Sequence, residues 1–418
     1  MIRNMLFPYT ITLRTGLSFI YFVRQTILNS TERHEARYQR RKAAREEKRR
    51  KKLAEYDNFD RLSSVPALLH GNWEARQGVM FKASVLRYNI NQYRNAVRSS
   101  HALRSGKDVR QSFYIFDICE RGKLRHIHSL HYSERVIRRS VCTNALVPVL
   151  SNGLIYDNSA SLEGKGVSFA ADRCVTHLHR FYRETGSNDG YVAVIDFKGY
   201  FDHILHEPLK LIIDKAFTDK RIVNLSYGFI DATNDGKPLE GRGQGLYIGP
   251  EDSQIYAVAY LNRVDHLIKD TFRQRYYARY MDDSYIIHKD KATLKAIMRE
   301  LEKEFTKYGI ILNPKKTQIV KLSKGFTFLK TRYFLTKTGH IIRKPDHAGI
   351  VRERRKIKKL YRFYESGVVT LDQVSQSYMS WRGAILKRDA RRAVQSMDGL
   401  FFHLYGAEPW RNTKRKVS

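Results

Sequence analysis

Cysteine is scarce in this chain and widely spaced. Three occur in 418 residues, Cys119, Cys142 and Cys174, with no CxxC pair among them. That pattern argues against a disulfide framework or a structural zinc site and fits a reducing compartment. Long apolar runs are also missing. The richest stretch, Leu6 to Leu28, is interrupted by Arg14 and Arg24, so no uncharged run approaches the roughly 20 residues of a membrane span. No clear small-residue cleavage site marks a signal peptide. The expectation is an amphipathic or buried N-terminal segment in a cytoplasmic protein with no membrane partner. No internal repeat is present. Acidic residues are outnumbered: 42 Asp plus Glu face 76 Lys plus Arg, a formal charge of +34. A field of that sign is the footprint of a nucleic-acid partner. On charge alone, a structural RNA binder fits as well as an enzyme. The apolar share of 42% suffices for packed cores and is too high for a disordered chain.

Positive charge concentrates first between Glu32 and Lys52, where eleven Lys/Arg stand with four acids and no large aliphatic residue. A solvated basic helix and a charged linker both fit that composition. Beyond Asp57 the sequence is denser and reads as helices with a break at Pro66. Phe113–Ile118 and Lys123–Leu130 read as two strands around a turn at Glu120–Gly122. Ser133–Leu150 has helical spacing, ending near Pro148, and a second helix follows the Glu163–Gly166 turn up to Tyr182. Tyr191–Phe197 (YVAVIDF) is a continuous apolar strand of the kind buried on both faces. Helices are expected at about Glu207–Phe217 and Pro250–Lys269. A hairpin then runs from Tyr276–Met281 through Asp282–Asp283 to Ser284–His288. Ala292–Tyr308 is an amphipathic helix and Asn313-Pro314 a loop. Phe326–Leu335 and Thr338–Arg343 suggest a further hairpin, and the chain from about His347 is helical and basic.

Two carboxylate sites stand beside buried strands: Asp196 in VIDFKGYFD, and Asp282-Asp283 in YMDD, 86 residues later. Only the fold could unite them. Phosphoryl transfer calls for such a union, because two metals roughly 4 Å apart clamp the attacking and leaving oxygens of an in-line displacement. Mg²⁺ prefers carboxylate and water oxygens, with a triphosphate completing its shell. Taken singly each motif is weak, since Asp is a common turn former. However, YMDD lies within YARYMDDSYII, apolar and aromatic on both flanks, which a plain surface turn would not need.

These blocks resemble the reverse transcriptase family, over about Gly122 to Tyr405. YMDD at 280–283 matches the family's YxDD box, and VIDFKGYFDHILH at 194–206 the block with the first metal ligand. GRGQGLYIGPEDSQIYAVAYLNRVDHLI at 241–268 resembles the block whose core is usually Pro-Gln-Gly followed by a helix, with Gly243 in place of the proline. LNPKKT at 312–317 and FTFLKTRYFL at 326–335 resemble the two blocks after YxDD. GKLRHI at 122–127 and SERVIRRSV at 133–141 resemble the fingers blocks. The match is closest to bacterial enzymes, the broad group of retron, diversity-generating, group II intron and phage-defence reverse transcriptases. No RNase H, integrase or HNH-type segment is recognisable, so the multi-domain members are not expected.

The resemblance implies an α+β right hand. Residues 1–56 would be an apolar segment and basic arm, 57–345 fingers and a palm sheet, and 346–418 a basic helical thumb. It implies RNA-templated synthesis of a DNA product from dNTPs, with two Mg²⁺ held by Asp196, Asp282, Asp283 and the Phe197 carbonyl. The template would be an RNA, a dedicated structured noncoding RNA being one candidate. Lys123 and Arg125 alternate on a strand and so share a face; the family would place them on the triphosphate, though a solvated charged face has the same pattern. Gln244 and Gly245 would contact the nucleotide, or simply form a turn. Phe201 would lie beneath the sugar and reject a 2′-hydroxyl, unless it is plain core. Lys316 would protonate the leaving pyrophosphate, or be an ordinary exposed lysine. Phe328 and Tyr333 would sit near the primer, or in the core. Ile350, Ile357, Tyr361 and Tyr364 form a helical stripe with a basic outer face, which suits a duplex backbone or plain solvent. RNA-dependent RNA synthesis, template-independent or protein-primed DNA synthesis and a non-catalytic RNA scaffold are the rival readings. The oligomeric state is not encoded in any motif.

Overall fold

The computed structural model describes residues 30–120, 123–232 and 243–410. The apolar start, Leu6 to Leu28, lies outside the described residues. The chain divides into two compact units, Met1–Asn58 and Phe59–Ser418. In the first, the basic arm is a single helix, α1 (Ser30–Leu53). Its described side chains are nearly all exposed, as a segment with no apolar stripe must be.

The second unit opens on one helical turn, Phe59–Leu62, followed by α2 (Val65–Ala75), α3 (Ala83–Ile90) and α4 (Gln92–Arg104). Pro66 starts a helix here. The Ser64 hydroxyl caps α2 by accepting from the Ala67 N–H, and proline in a first turn forfeits no helical hydrogen bond. Strands β1 (Tyr114–Glu120) and β2 (Lys123–Ser129) pair antiparallel as a two-stranded sheet. α5 (Tyr132–Val141) continues through a π turn at Cys142–Leu146 into a short helix, Val147–Ser151, so Pro148 again falls in a first turn.

Then come α6 (Val167–Thr185), β3 (Tyr191–Ile195), α7 (His206–Ala216), α8 (Lys220–Asp231), α9 (Glu251–Tyr260) and α10 (Asn262–His266). The sequence pattern suggested one helix for the last stretch; the chain breaks it at Leu261 and ends it in a π turn, Leu267–Thr271. β4 (Tyr277–Tyr280), β5 (Asp283–His288), α11 (Lys291–Lys307) and β6 (Gln318–Lys321) complete a four-stranded antiparallel sheet of order β4-β5-β3-β6. Ala170, Cys174, Leu178 and Phe181 of α6 pack against Val192, Ala278, Tyr285 and Ile287 on one face. α11, capped by Asp290 and burying Leu294, Ile297, Leu301 and Phe305, covers β3 and β5 from the other. Helices on both faces explain why β3 reads as uninterrupted apolar sequence.

β7 (Phe326–Phe328), β8 (Thr331–Leu335) and β9 (Ile341–Pro345) form a three-stranded sheet. Phe326–Leu335 is thus a complete hairpin by itself, and the second strand after it runs from Ile341 rather than Thr338. Three helices follow, α12 (His347–Glu365), α13 (Leu371–Leu386) and α14 (Arg391–Tyr405), around a separate core of Ile357, Val374, Tyr378, Met397, Phe401 and Tyr405. Trp381 is half-buried against that core and stacked on Tyr378. Among the described residues, no helix is long and apolar enough to cross a membrane.

Candidate active site

Strand register brings the two carboxylate sites together. β3 pairs antiparallel with β5, ending on Ile195 opposite Ser284. The next residue along each strand is Asp196 on one side and Asp283 on the other. β4 and β5 close through Met281 and Asp282, with Tyr280 opposite Asp283. A two-residue hairpin loop normally carries Gly or Asn where φ is positive. Here Met281 holds that conformation, at φ 54°. The turn is therefore strained, and Asp282 and Asp283 follow directly from the strained residue.

Asp196 is 4% exposed and is gripped from the loop between α11 and β6. The Asn313 side-chain amide donates to Asp196 Oδ1 at 2.8 Å, and the Asn313 N–H donates to the Asp196 carbonyl oxygen at 2.8 Å. The Asp196 N–H in turn donates to Thr317 Oγ1. Lys316 Nζ reaches Asp196 Oδ2 at 2.6 Å. Burial, reinforced by the charges of Asp282 and Asp196, pushes the Asp283 carboxyl up to about 7, with Lys316 opposing. Burial works against the Lys316 ammonium, but its bond to Asp196 and the charges of Asp196, Asp283 and Asp282 outweigh it and raise its pKa.

These three aspartates line one cleft of about 840 Å³ with Arg125, Phe201, Met281, Asn313, Lys316 and Lys330. Arg388, from the turn between α13 and α14, closes it from the C-terminal side and donates from Nε to Thr331 Oγ1 at 2.7 Å. Among the described residues, no three His, Cys or acidic side chains stand ready as a metal cage. The donor set nevertheless suits a hard cation: it is all carboxylate oxygen, the preference of Mg²⁺. Burial displaces the Asp283 equilibrium towards neutrality and the Asp282 and Asp196 charges add to it, so a bound cation would favour the ionised carboxylate. The Lys316 ammonium on Asp196 brings one positive charge to this cluster.

The sequence profile of the family described as reverse transcriptase (RNA-dependent DNA polymerase) matches residues 119–333, just over half of the chain. The chain belongs to the reverse transcriptase family. No curated protein sequence matches it. Among solved structures, an apo telomerase from Candida tropicalis truncated from its C-terminal domain matches at 19% identity and TM-score 0.44, over 56% of this chain and 55% of that one. Telomerase from Candida albicans in complex with a TWJ fragment of telomeric RNA matches at 13% identity and TM-score 0.46, over 76% and 65%. The apo telomerase from Candida tropicalis matches at 18% identity and TM-score 0.46, over 73% and 60%. This chain thus spans 55–65% of the length of those telomerase chains.

The reverse transcriptase has the α+β right-hand polymerase fold expected from its sequence. Its remaining candidate residues divide in position. Arg125 and Phe201 line the cleft. Phe201 is half-buried, whereas neighbouring Tyr200 is 4% exposed and donates its hydroxyl to the Ala257 carbonyl at 2.7 Å. Phe197 is buried and stacks on Tyr200. The Lys123 side chain lies outside the described residues.

Gln244 and Gly245 do not line the cleft; they brace the Phe201 turn from behind. Gln244 bridges to Leu205, the Gly245 N–H donates to the Ile204 carbonyl at 2.7 Å, and the Leu246 N–H donates to the Phe201 carbonyl at 2.9 Å. Gly245 sits at φ 93°, a conformation L side chains rarely adopt. Phe328 and Tyr333 are 2% and 0% exposed, and their side chains face the core under the hairpin rather than the cleft. The hairpin's tip, Leu329–Lys330, is what lines the cleft. Asn313, Thr317, Lys330 and Arg388 are site residues the sequence reading missed. Asn313 and Thr317 stand inside LNPKKT and Lys330 inside FTFLKTRYFL, so their blocks were legible though their roles were not, whereas Arg388 carried no signal.

Proposed function

We propose that this reverse transcriptase is an RNA-directed DNA polymerase that extends a primer with dNTPs. The observation that carries the reading is the meeting of Asp196, Asp282 and Asp283 at adjoining strand ends, where burial and mutual repulsion push Asp283 up to about 7. Asp196 and Asp282 would hold two Mg²⁺ ions, with Asp283 the weaker ligand and the Phe197 carbonyl beside them. When bound, the ions supply Lewis-acid stabilisation to the attacking 3′-hydroxyl, the triphosphate and the leaving oxygen. The bond formed joins the primer 3′-oxygen to the α-phosphorus, and the bond broken releases pyrophosphate.

The chain's own groups do the rest. Arg125 binds the triphosphate, with Lys123 of the same strand the second candidate. Phe201 closes the space beneath the ribose, on a turn stiffened by Gln244 and Gly245. Lys316, held on Asp196 by its ammonium, would be the group that protonates pyrophosphate. The Leu329–Lys330 tip and Arg388 meet the primer end. Residues 346–418 serve as the thumb on the duplex, and α1 adds phosphate contacts. The subgroup we propose is the bacterial one, which the motif blocks resemble. The template is RNA, a dedicated noncoding RNA being the candidate, and the cysteine usage fits the cytoplasm.

Extension of a labelled DNA primer on a defined RNA template, with dNTPs and rNTPs in parallel, tests this. dNTP incorporation that needs the template supports it. Incorporation of rNTPs alone overturns it in favour of RNA synthesis. Incorporation without template overturns it in favour of terminal addition.

A further inference from the structure

Arg279 lies in β4, two residues before Met281, and is 1% exposed. Burying a guanidinium is costly unless its donors are paired, and here they are. Nε and Nη2 grip the Asp265 carboxylate at 2.8 and 2.7 Å. Nη2 also donates to the Val258 carbonyl of α9 at 2.8 Å, and Nη1 to the Met281 carbonyl at 3.3 Å. Asp265 is 0% exposed, sits on α10, and accepts from the Tyr277 hydroxyl at 2.5 Å and from the Asn158 side-chain amide at 3.4 Å. The Arg279 main chain is fixed as well: its N–H donates to the Asp157 carbonyl at 3.1 Å, and its own carbonyl accepts from the Ser159 N–H at 3.3 Å.

A planar cation thus ties two helices and an edge strand to one carbonyl of the catalytic turn. That carbonyl belongs to the residue with positive φ. A left-handed non-glycine costs on the order of 1–3 kcal/mol and persists only where its surroundings hold it. Of the described hydrogen bonds, the Arg279 contact is the one that reaches the Met281 carbonyl from the interior.

We propose that Arg279, anchored by Asp265, is a positioning residue: it holds the Met281–Asp282 turn in its left-handed form and so presents Asp282 and Asp283 for divalent-metal binding. The proposal rests on reading those aspartates as metal ligands. Lysine cannot replace the arginine, because a single ammonium cannot span Asp265, Val258 and Met281 at once.

The test measures Mn²⁺ binding by electron paramagnetic resonance and thermal melting on the full chain without nucleic acid. Arg279→Lys should weaken Mn²⁺ binding by about 10–100-fold, the usual loss when a residue behind a metal ligand is removed. Met281→Gly accepts positive φ at little cost, so Arg279→Lys in that background should weaken binding far less. A purely structural role for Arg279 predicts the same loss in both backgrounds, which overturns the proposal, as does parental Mn²⁺ affinity in a folded Arg279→Lys. Where Arg279→Lys does not fold, Met281→Gly is compared with Met281→Ala, which loses the same buried side chain: a Gly variant that melts above the Ala variant with Mn²⁺ affinity kept supports a strained turn, and one that melts below it overturns it. Asp282→Asn, at one of the two principal expected ligands, separates the two ideas. If it leaves Mn²⁺ binding unchanged, the metal-ligand reading fails; if it abolishes binding while Arg279→Lys does not weaken it, only the positioning role fails.

Discussion

Lys316 Nζ lies 2.6 Å from Asp196 Oδ2, so the expected general acid begins as the counter-ion of an expected metal ligand. One side chain can serve both roles, because the bond to Asp196 and the neighbouring carboxylate charges outweigh burial and keep the proton on Nζ. Lys316→Ala should lower kcat for dNTP incorporation by roughly 10²–10⁴-fold, the range for a lost general acid. Primer–template affinity should change little. Single-turnover kinetics and fluorescence anisotropy check the two halves, and an unchanged kcat would reduce Lys316 to a structural counter-ion.

Asp283 gives a pH prediction. Its folded pKa of about 7 stands above the usual carboxylate value. The folded state therefore holds a proton that the unfolded chain releases at lower pH. The metal-free protein should lose stability as pH rises from about 4 to 7 and stay at the lower level above that. Asp283→Asn removes the charge, so in EDTA at pH 8 it should melt higher than the parent, with the difference vanishing near pH 4. Protons should also compete with metal: the Mg²⁺ concentration for half-maximal activity should rise as pH falls below 7. A melting difference that is the same at pH 4 and pH 8 contradicts the account.

Phe201 faces the cleft while Tyr200 is locked in the core by its bond to Ala257. Phe201→Ala should therefore raise GTP use relative to dGTP, measured as the ratio of kcat/KM on one template. Overlap of a 2′-hydroxyl with a packed ring costs about 1–3 kcal/mol, or roughly 5–150-fold in that ratio. Tyr200→Phe should keep the parental ratio and lose only stability. Equal ratios in Phe201→Ala and the parent would move sugar choice elsewhere.

α1 carries eleven basic residues from Glu32 to Lys52 and exposes nearly all its described side chains. Each phosphate it neutralises releases counter-ions, adding about 0.7–0.9 to the slope of log affinity against log salt. Deleting residues 30–53 should make that slope shallower by several units for an RNA ligand. An unchanged slope would mean that α1 is turned away from nucleic acid.

What the sequence disclosed follows from how local each signal was. YVAVIDF and YARYMDDSYII carry their strand pattern in consecutive residues, so β3, the β4–β5 hairpin and the three aspartates were all legible. α11 was legible for the same reason, with apolar residues at helical spacing behind Asp290. β6 is four residues long with no fully buried position, too short to declare a period, and α8 lacks a strong start signal beyond Asp219. The Leu329–Lys330 tip escaped because both residues hold positive φ, 48° and 62°, without the Gly or Asn that normally marks such a turn. Phe328 and Tyr333 were open between primer and core, and alternation along β7 and β8 turned them to the core. Arg279 with Asp265, and Asn313 with Asp196, are partnerships across folded elements, and nothing in the local sequence announces such a pairing.

The most direct test of the central claim is primer extension by the Asp282→Ala/Asp283→Ala double variant, with RNA binding measured on the same preparation. The account places metal on these carboxylates and nucleic acid on the basic surfaces around them. It predicts dNTP incorporation reduced below detection while the RNA dissociation constant stays within about threefold of the parent, a difference of less than 1 kcal/mol. Template-dependent incorporation at the parental rate by the double variant would contradict it.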